Sequence, residues 1–131
     1  MLVASFDRSQ MPPLKPYTGV LRFTCAGRAV AVSRWDGGWF VETAGAMGRE
    51  RVVGEVLRAL EPSLSPQMLV TFDGEAGLVG RLRDGGGPRA SYVVDYDAPN
   101  EHWGATCDTI ESALDALLEQ LESEDPPDSA W

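Results

Sequence analysis

The sequence predicts an α+β domain, with one antiparallel sheet of about six strands packed against two helices in the order β-β-β-α-β-β-β-α. Three observations carry that reading. Short apolar runs recur along the chain and are separated by glycine- or proline-bearing segments, the punctuation of hairpins. Two longer stretches, 49–61 and 109–123, change to helical spacing. At 131 residues the chain has the size of one domain, long enough to bury roughly two-thirds of its unfolded surface.

Residues 1–16 open with a short apolar stretch, then Asp7 and Arg8, then Pro12, Pro13 and Pro16. They lack the basic start and longer apolar run of a secretory signal, so they read as a loose arm ahead of a domain spanning 17–125. Residues 20–26 (VLRFTCA) form a first strand, and Gly27-Arg28 turns it into a second at 29–34 (AVAVSR). Trp35-Asp36-Gly37-Gly38 supplies the glycines of a tight hairpin, with Trp39 to Thr43 returning as a third strand. Gly45 to Gly48 breaks the pattern. From Arg49 to Glu61, Val52, Val53, Val56, Leu57 and Leu60 share one helical face, and Pro62 ends the helix. Three further strands are expected at Met68 to Asp73, Leu78 to Arg83 and Ser91 to Asp97, divided by glycine-rich turns. The last helix has Asp108 or Thr109 as its N-cap, and Asp108 in that role would place Glu111 in a capping-box position. Ile110, Ala113, Leu114, Leu117, Leu118 and Leu121 make its apolar stripe, and Pro126 and Pro127 open a tail, 126–131, that ends at Trp131. Val93 to Asp97 echoes Ala31 to Asp36 only loosely, so the sequence favours no internal duplication.

Charge is unevenly spread. The net charge is −9, yet residues 1–60 hold eight basic and five acidic side chains, and residues 61–131 hold three basic and fifteen acidic. The last basic residue is Arg89, and the 42 residues after it carry eleven acids and no Lys or Arg. On the final helix Glu111, Asp115, Glu119 and Glu122 form a solvent face in which like charges lie four residues apart, each such pair costing about 0.2–0.5 kcal/mol. One reading is a face kept acidic for solubility; the other is a docking surface for a basic partner. Nucleic acid is disfavoured because phosphate contacts dominate that affinity, and an anionic membrane surface for the same reason. No run of about 18 apolar residues exists to span a bilayer.

Chemistry-bearing signals are weak. Asp95-Tyr96-Asp97 with Glu101 and His102 could gather oxygen ligands around a divalent cation, but the spacing matches no metal loop. His102 and Cys107 lack a third group to orient the imidazole. Gly85-Gly86-Gly87 is not followed by Lys-Ser/Thr or a helix start, so it reads as a hairpin loop. Cys25 and Cys107 are too few for a disulfide framework, which points to the cytoplasm. No catalytic residue, metal site or cofactor is expected. Ten of the eleven basic residues are Arg, a bias that suggests a high-GC bacterial genome.

From about Glu42 to Trp131 the chain resembles the immunity proteins of bacterial polymorphic toxin systems, in the family that includes the inhibitor of a double-stranded-DNA deaminase toxin. The matching features are a leading amphipathic helix at Arg49 to Glu61 and the strand Met68-Leu69-Val70-Thr71-Phe72-Asp73. A strand ending in an aromatic-acid pair follows, then a late helix with Ala113 and Leu117 and a tail from Pro126 to Trp131. Residues 1–43 add a hairpin outside that pattern, and the link from Asp97 to the last helix is short. Asp108-Thr109-Ile110-Glu111-Ser112-Ala113-Leu114 is also similar to a helix start in certain antitoxins. Both likenesses imply toxin neutralisation. The expectation is therefore a cytoplasmic immunity protein, without enzymatic activity, that occludes a cognate basic toxin domain. Asp95, Asp97, Glu101, Glu111, Asp115, Glu119 and Glu122 would supply charge, and Trp103 or Trp131 an aromatic anchor. The alternative is an acidic secretion or assembly chaperone, or an adaptor subunit, that holds a partner protein without inhibiting it.

Overall fold

Alternation of apolar and polar residues sets one face of each strand toward a common core, and two helical stripes close over that face. The computed structural model describes residues 17–35, 38–42, 44–64 and 69–123. The elements are β1 (Gly19–Cys25), β2 (Arg28–Trp35), β3 (Gly38–Val41), β4 (Gly45–Met47), α1 (Arg49–Leu60), β5 (Leu69–Gly74), β6 (Val79–Asp84), β7 (Tyr92–Ala98), β8 (Glu101–Cys107) and α2 (Ile110–Glu122). All eight strands belong to one antiparallel sheet, ordered β4-β3-β2-β1-β5-β6-β7-β8.

The α+β class, the single antiparallel sheet and the two helices stand as the sequence predicts, but the strand count is eight, not about six. The order is ββββα twice over. The two strands missed were hidden for different reasons. β4 is three residues long, GAM, too short to show a period. β8 alternates cleanly in burial, but its inward residues are Glu101, Trp103, Ala105 and Cys107, and its outward ones include Gly104. Strand propensity in that run is diluted by glycine, alanine and charge. The expected arm 1–16, Thr43, Met68 and the tail 126–131 lie outside the described residues.

The two halves meet where β1 pairs β5, with Phe23 opposite Phe72 and their ring centroids 5.4 Å apart. In each half the connection from first to second strand carries an Ala-Gly pair at positive φ, Ala26 (46°) and Gly27 (90°), then Ala76 (67°) and Gly77 (78°). Two consecutive positive φ values are what a tight β1–β2 hairpin requires. The repeat is one of topology, and it pairs β2 with β6 and β3 with β7. The sequence echo between Ala31–Asp36 and Val93–Asp97 instead compares β2 with β7, so it does not mark the structural correspondence.

Phe23, Phe72, Gly80, Tyr96 and Trp103 lie opposite one another in a row across β1, β5, β6, β7 and β8. Gly80 is the gap that admits the Phe72 ring: a Cβ there would overlap both that ring and the Asp95 carbonyl oxygen. Above this row α1 lies on β1 to β3, α2 lies on β7 and β8, and the helices touch each other. Val52, Val56 and Leu60 from α1 and Leu114, Leu117 and Leu121 from α2 complete the core. α2 is capped by Thr109, whose Oγ1 accepts from the Ser112 backbone N–H at 3.0 Å. That choice puts Ser112, not Glu111, at the third helical position, so the capping box expected from Asp108 does not form. The Tyr17 N–H donates to the Leu121 carbonyl at 2.9 Å, tying the start of the domain to the end of α2.

Candidate functional site

Helix packing accounts for the first feature of the site. α1 and α2 press their apolar stripes onto the sheet, which leaves a valley between their outer faces. Two adjoining depressions of about 390 and 510 Å³ run along it and share Gly54 and Glu111. Val53, Leu57, Leu64, Ile110 and Ala116 contribute apolar walls, and Glu50, Glu61, Glu111 and Glu119 stand along the rim. Arg58 is the counterweight on α1.

Gly54 is the least expected residue there. A glycine inside a helix costs roughly 1 kcal/mol relative to alanine, and a packing need is the usual reason for one. Here there is none, since a Cβ at Gly54 would meet nothing within 4 Å. Gly54 lines both depressions, so α1 presents no side chain at the point where they adjoin.

One side of the groove is clamped. Arg49 Nε donates to Asp115 Oδ1 at 2.9 Å and its NH1 to Glu122 Oε1 at 2.6 Å. The other Glu122 oxygen accepts from the Trp39 indole N–H at 2.6 Å, and the Arg34 guanidinium lies 5.2 Å from the Trp39 ring centroid. Asp115, and then Glu122, hold the Arg49 guanidinium above its ordinary pKa, against the opposing effect of burial. The self-repulsion expected along α2 is thus partly offset from α1, a compensation invisible when the helix is read alone.

The acids grouped by sequence do not form one face. Glu111 and Glu119 are exposed on α2 beside the groove, whereas Asp115 and Glu122 are engaged by Arg49. Asp95 and Asp97 point from β7 to the opposite side of the sheet, away from the helices. There Asp95 sits 3.7 Å from Arg81 Nε, and Asp97 Oδ1 is 2.6 Å from His102 Nδ1. Glu101 is on the helix side of β8, where its Oε2 accepts from the Tyr96 hydroxyl at 2.8 Å. Trp103 is half-buried and stacked on Tyr96 with centroids 5.6 Å apart. Burial first, and Glu101 second, push the Tyr96 phenol well above its ordinary pKa. Trp131 lies outside the described residues.

The weaker constellations are also separated by strand alternation. His102 and Cys107, five apart on one strand, project to opposite faces. Burial, then Asp108, raises the Cys107 thiol pKa, the wrong direction for a nucleophile. Asp95, Asp97 and His102 share the open face, but Glu101 does not. Gly85 to Gly87 occupy the β6–β7 loop, with the Gly85 N–H donating to the Ser91 carbonyl at 2.9 Å.

Sequence reading missed Arg49 as a clamp and Gly54 as the floor of a groove. The signal for Gly54 was present, as the one glycine inside an otherwise regular amphipathic helix. No described helix is long and apolar enough to cross a membrane. No protein-family model, curated protein or solved structure matches this chain.

Proposed function

We propose that this chain is an immunity protein that binds a basic toxin domain and blocks its active site by occlusion. The observation that carries the reading is the groove between α1 and α2, apolar along its walls, acidic along its rim, and lined at its middle by a glycine with no packing role. Such a groove suits a segment that presents apolar side chains flanked by Lys or Arg, the helix-in-groove mode of recognition. Glu111 and Glu119 act as the steering charges, raising association rate and partner discrimination more than affinity. Asp115 and Glu122 act indirectly, by fixing Arg49 and the spacing of the two helices.

The test is capture from the native host at low salt with three tagged baits: the native chain, Gly54→Leu, and the double variant Glu111→Lys with Glu119→Lys. Gly54→Leu adds a good helix former at a position where a Cβ meets nothing within 4 Å, so its side chain should project into the groove, and thermal unfolding of the bait checks that the fold is kept. The expected result is a stoichiometric basic toxin domain on the native bait, catalytically silent in the complex, released as salt rises and lost from both variants. A partner retained equally by all three baits would refute the groove. A partner that keeps full activity while bound would replace the immunity reading with that of a chaperone or adaptor.

A further inference from the structure

The two ends of the sheet are unequal. β4 ends one side and is three residues long, beginning at Gly45 with φ 91° and followed by Gly48. A short terminal strand is a standard defence against unwanted pairing. β8 ends the other side with seven residues in unbroken register against β7 and, among the described residues, no strand beyond it. It contains no Lys, no Pro and no bulge, three of the protections an edge can carry, and its one inward-pointing charge, Glu101, lies at the hairpin end of the strand.

The exposed backbone groups can be assigned. Pro99-Asn100 is a two-residue loop that closes on Ala98 opposite Glu101, and a pair closing so short a loop exchanges both hydrogen bonds. Alternation along the antiparallel ladder then turns the N–H and C=O of His102, Gly104 and Thr106 away from β7. Gly104, Ala105 and Thr106 have small side chains, so an incoming strand has room for large ones. Half-buried Trp103 stands beside them on the helix side.

We infer that β8 is a strand-addition site whose occupant is an extended segment of a basic partner protein, carrying Lys or Arg at alternate positions. Charge decides the occupant. The β7–β8 hairpin and the start of α2 bear Asp95, Asp97, Glu101, Asp108 and Glu111, and no Lys or Arg follows Arg89. A second copy of this chain would bring the same acids to the same edge. Main-chain hydrogen bonds would supply the affinity and the acids the choice of partner. The inference rests on the proposed basic partner and adds a second, independent point of contact to the groove.

The probe is a blocked peptide alternating arginine and valine over about eight residues, enough to span the strand. Two controls accompany it: a glutamate–valine counterpart, and the arginine peptide N-methylated at alternate residues, which keeps the charge but cannot pair. Backbone amide exchange of His102, Gly104 and Thr106 is the readout, with sedimentation to report oligomeric state. The expected result is exchange slowed about tenfold or more by the arginine peptide alone. Binding should be about tenfold weaker in Thr106→Pro, a substitution an edge strand tolerates when the lost N–H faces solvent. Equal binding of the N-methylated peptide, no binding at all, or unchanged binding by Thr106→Pro would each overturn the inference. So would a peptide-free dimer in which the Gly104 amide is already protected. The peptide needs no toxin, so its failure leaves the groove standing. Conversely, toxin capture lost in Gly54→Leu but intact in Thr106→Pro would remove strand addition alone.

Discussion

Replacing Glu122 by alanine tests whether this acid holds the fold or meets a partner. Its carboxylate accepts from two donors in different surroundings. The Trp39 residue is 1% exposed, so removing the acceptor leaves an indole N–H buried and unpaired, at a cost of about 1–3 kcal/mol. The Arg49 side chain is 30% exposed and keeps Asp115, so losing one of its two partners adds only about 0–1 kcal/mol after solvent screening. Glu122→Ala should therefore destabilise by about 1–4 kcal/mol, mostly through Trp39. Glu122→Gln keeps a carbonyl oxygen for the indole and should cost about 1 kcal/mol. In a Trp39→Phe background the donor is gone, and the further cost of Glu122→Ala should fall below about 1 kcal/mol, a coupling a double-mutant cycle reads directly. Urea unfolding at neutral pH supplies each of these values, with Glu119→Ala as the exposed control on the same helix. If Glu122→Ala costs no more than Glu119→Ala, or if the cycle shows no coupling, then Trp39 does not depend on Glu122 and the clamp is wrong.

Other outcomes follow from the same structure. Gly54→Ala should raise stability by about 0.5–1 kcal/mol in thermal unfolding, because the helix gains propensity and nothing is crowded. Gly80→Ala should lower it by about 1–3 kcal/mol, because the Phe72 ring and the β7 backbone must both shift. The Tyr17 hydroxyl donates to the Val20 and Glu75 carbonyls, and burial pushes its pKa up to about 12. A raised folded pKa means its contribution is complete below the unfolded value of about 10. That contribution is lost as pH climbs from there through the folded value, so Tyr17→Phe should flatten that part of a denaturation–pH profile. Charge reversal at Glu111 and Glu119 together should leave stability within about 0.5 kcal/mol of native by urea unfolding, which is what makes that variant a clean probe of binding.

Strands with apolar cores, such as VLRFTC and LVTFDG, were legible because burial and propensity agree there. The helices were legible because a stripe of five or six apolar residues at helical spacing leaves little alternative. β8 was not, because what makes it a strand is tertiary. Tyr96 supplies a ring for Trp103 to stack on and a hydroxyl for Glu101 to accept, and neither pairing shows in a one-dimensional pattern. The site fared likewise. A run of acids in sequence suggests one acidic face, but strand alternation sends Asp95 and Asp97 to one side of the sheet and Glu101 to the other. Helical phase turns Asp115 and Glu122 toward Arg49 on a neighbouring helix. Glu111 and Glu119 keep the exposure that the sequence reading assigned to the whole set.

The topology repeats, yet the two halves have not stayed equivalent, and their differences coincide. The first half ends its side of the sheet with a three-residue strand, and residues 1–60 carry more basic than acidic groups. The second half ends its side with a seven-residue strand, and it holds fifteen of the twenty acids. A long edge with no further strand beside it among the described residues invites pairing between copies of a chain. Concentrating negative charge beside that edge opposes pairing between copies while leaving it open to a positively charged strand. The acids and the edge can then be one device, in which repulsion excludes the wrong partner and backbone pairing admits the right one. High salt separates this from plain solubility. Screening should promote self-association through β8, and Thr106→Pro should abolish that self-association. If charge serves only solubility, salt-induced association should proceed equally in Thr106→Pro, through surfaces unrelated to this strand.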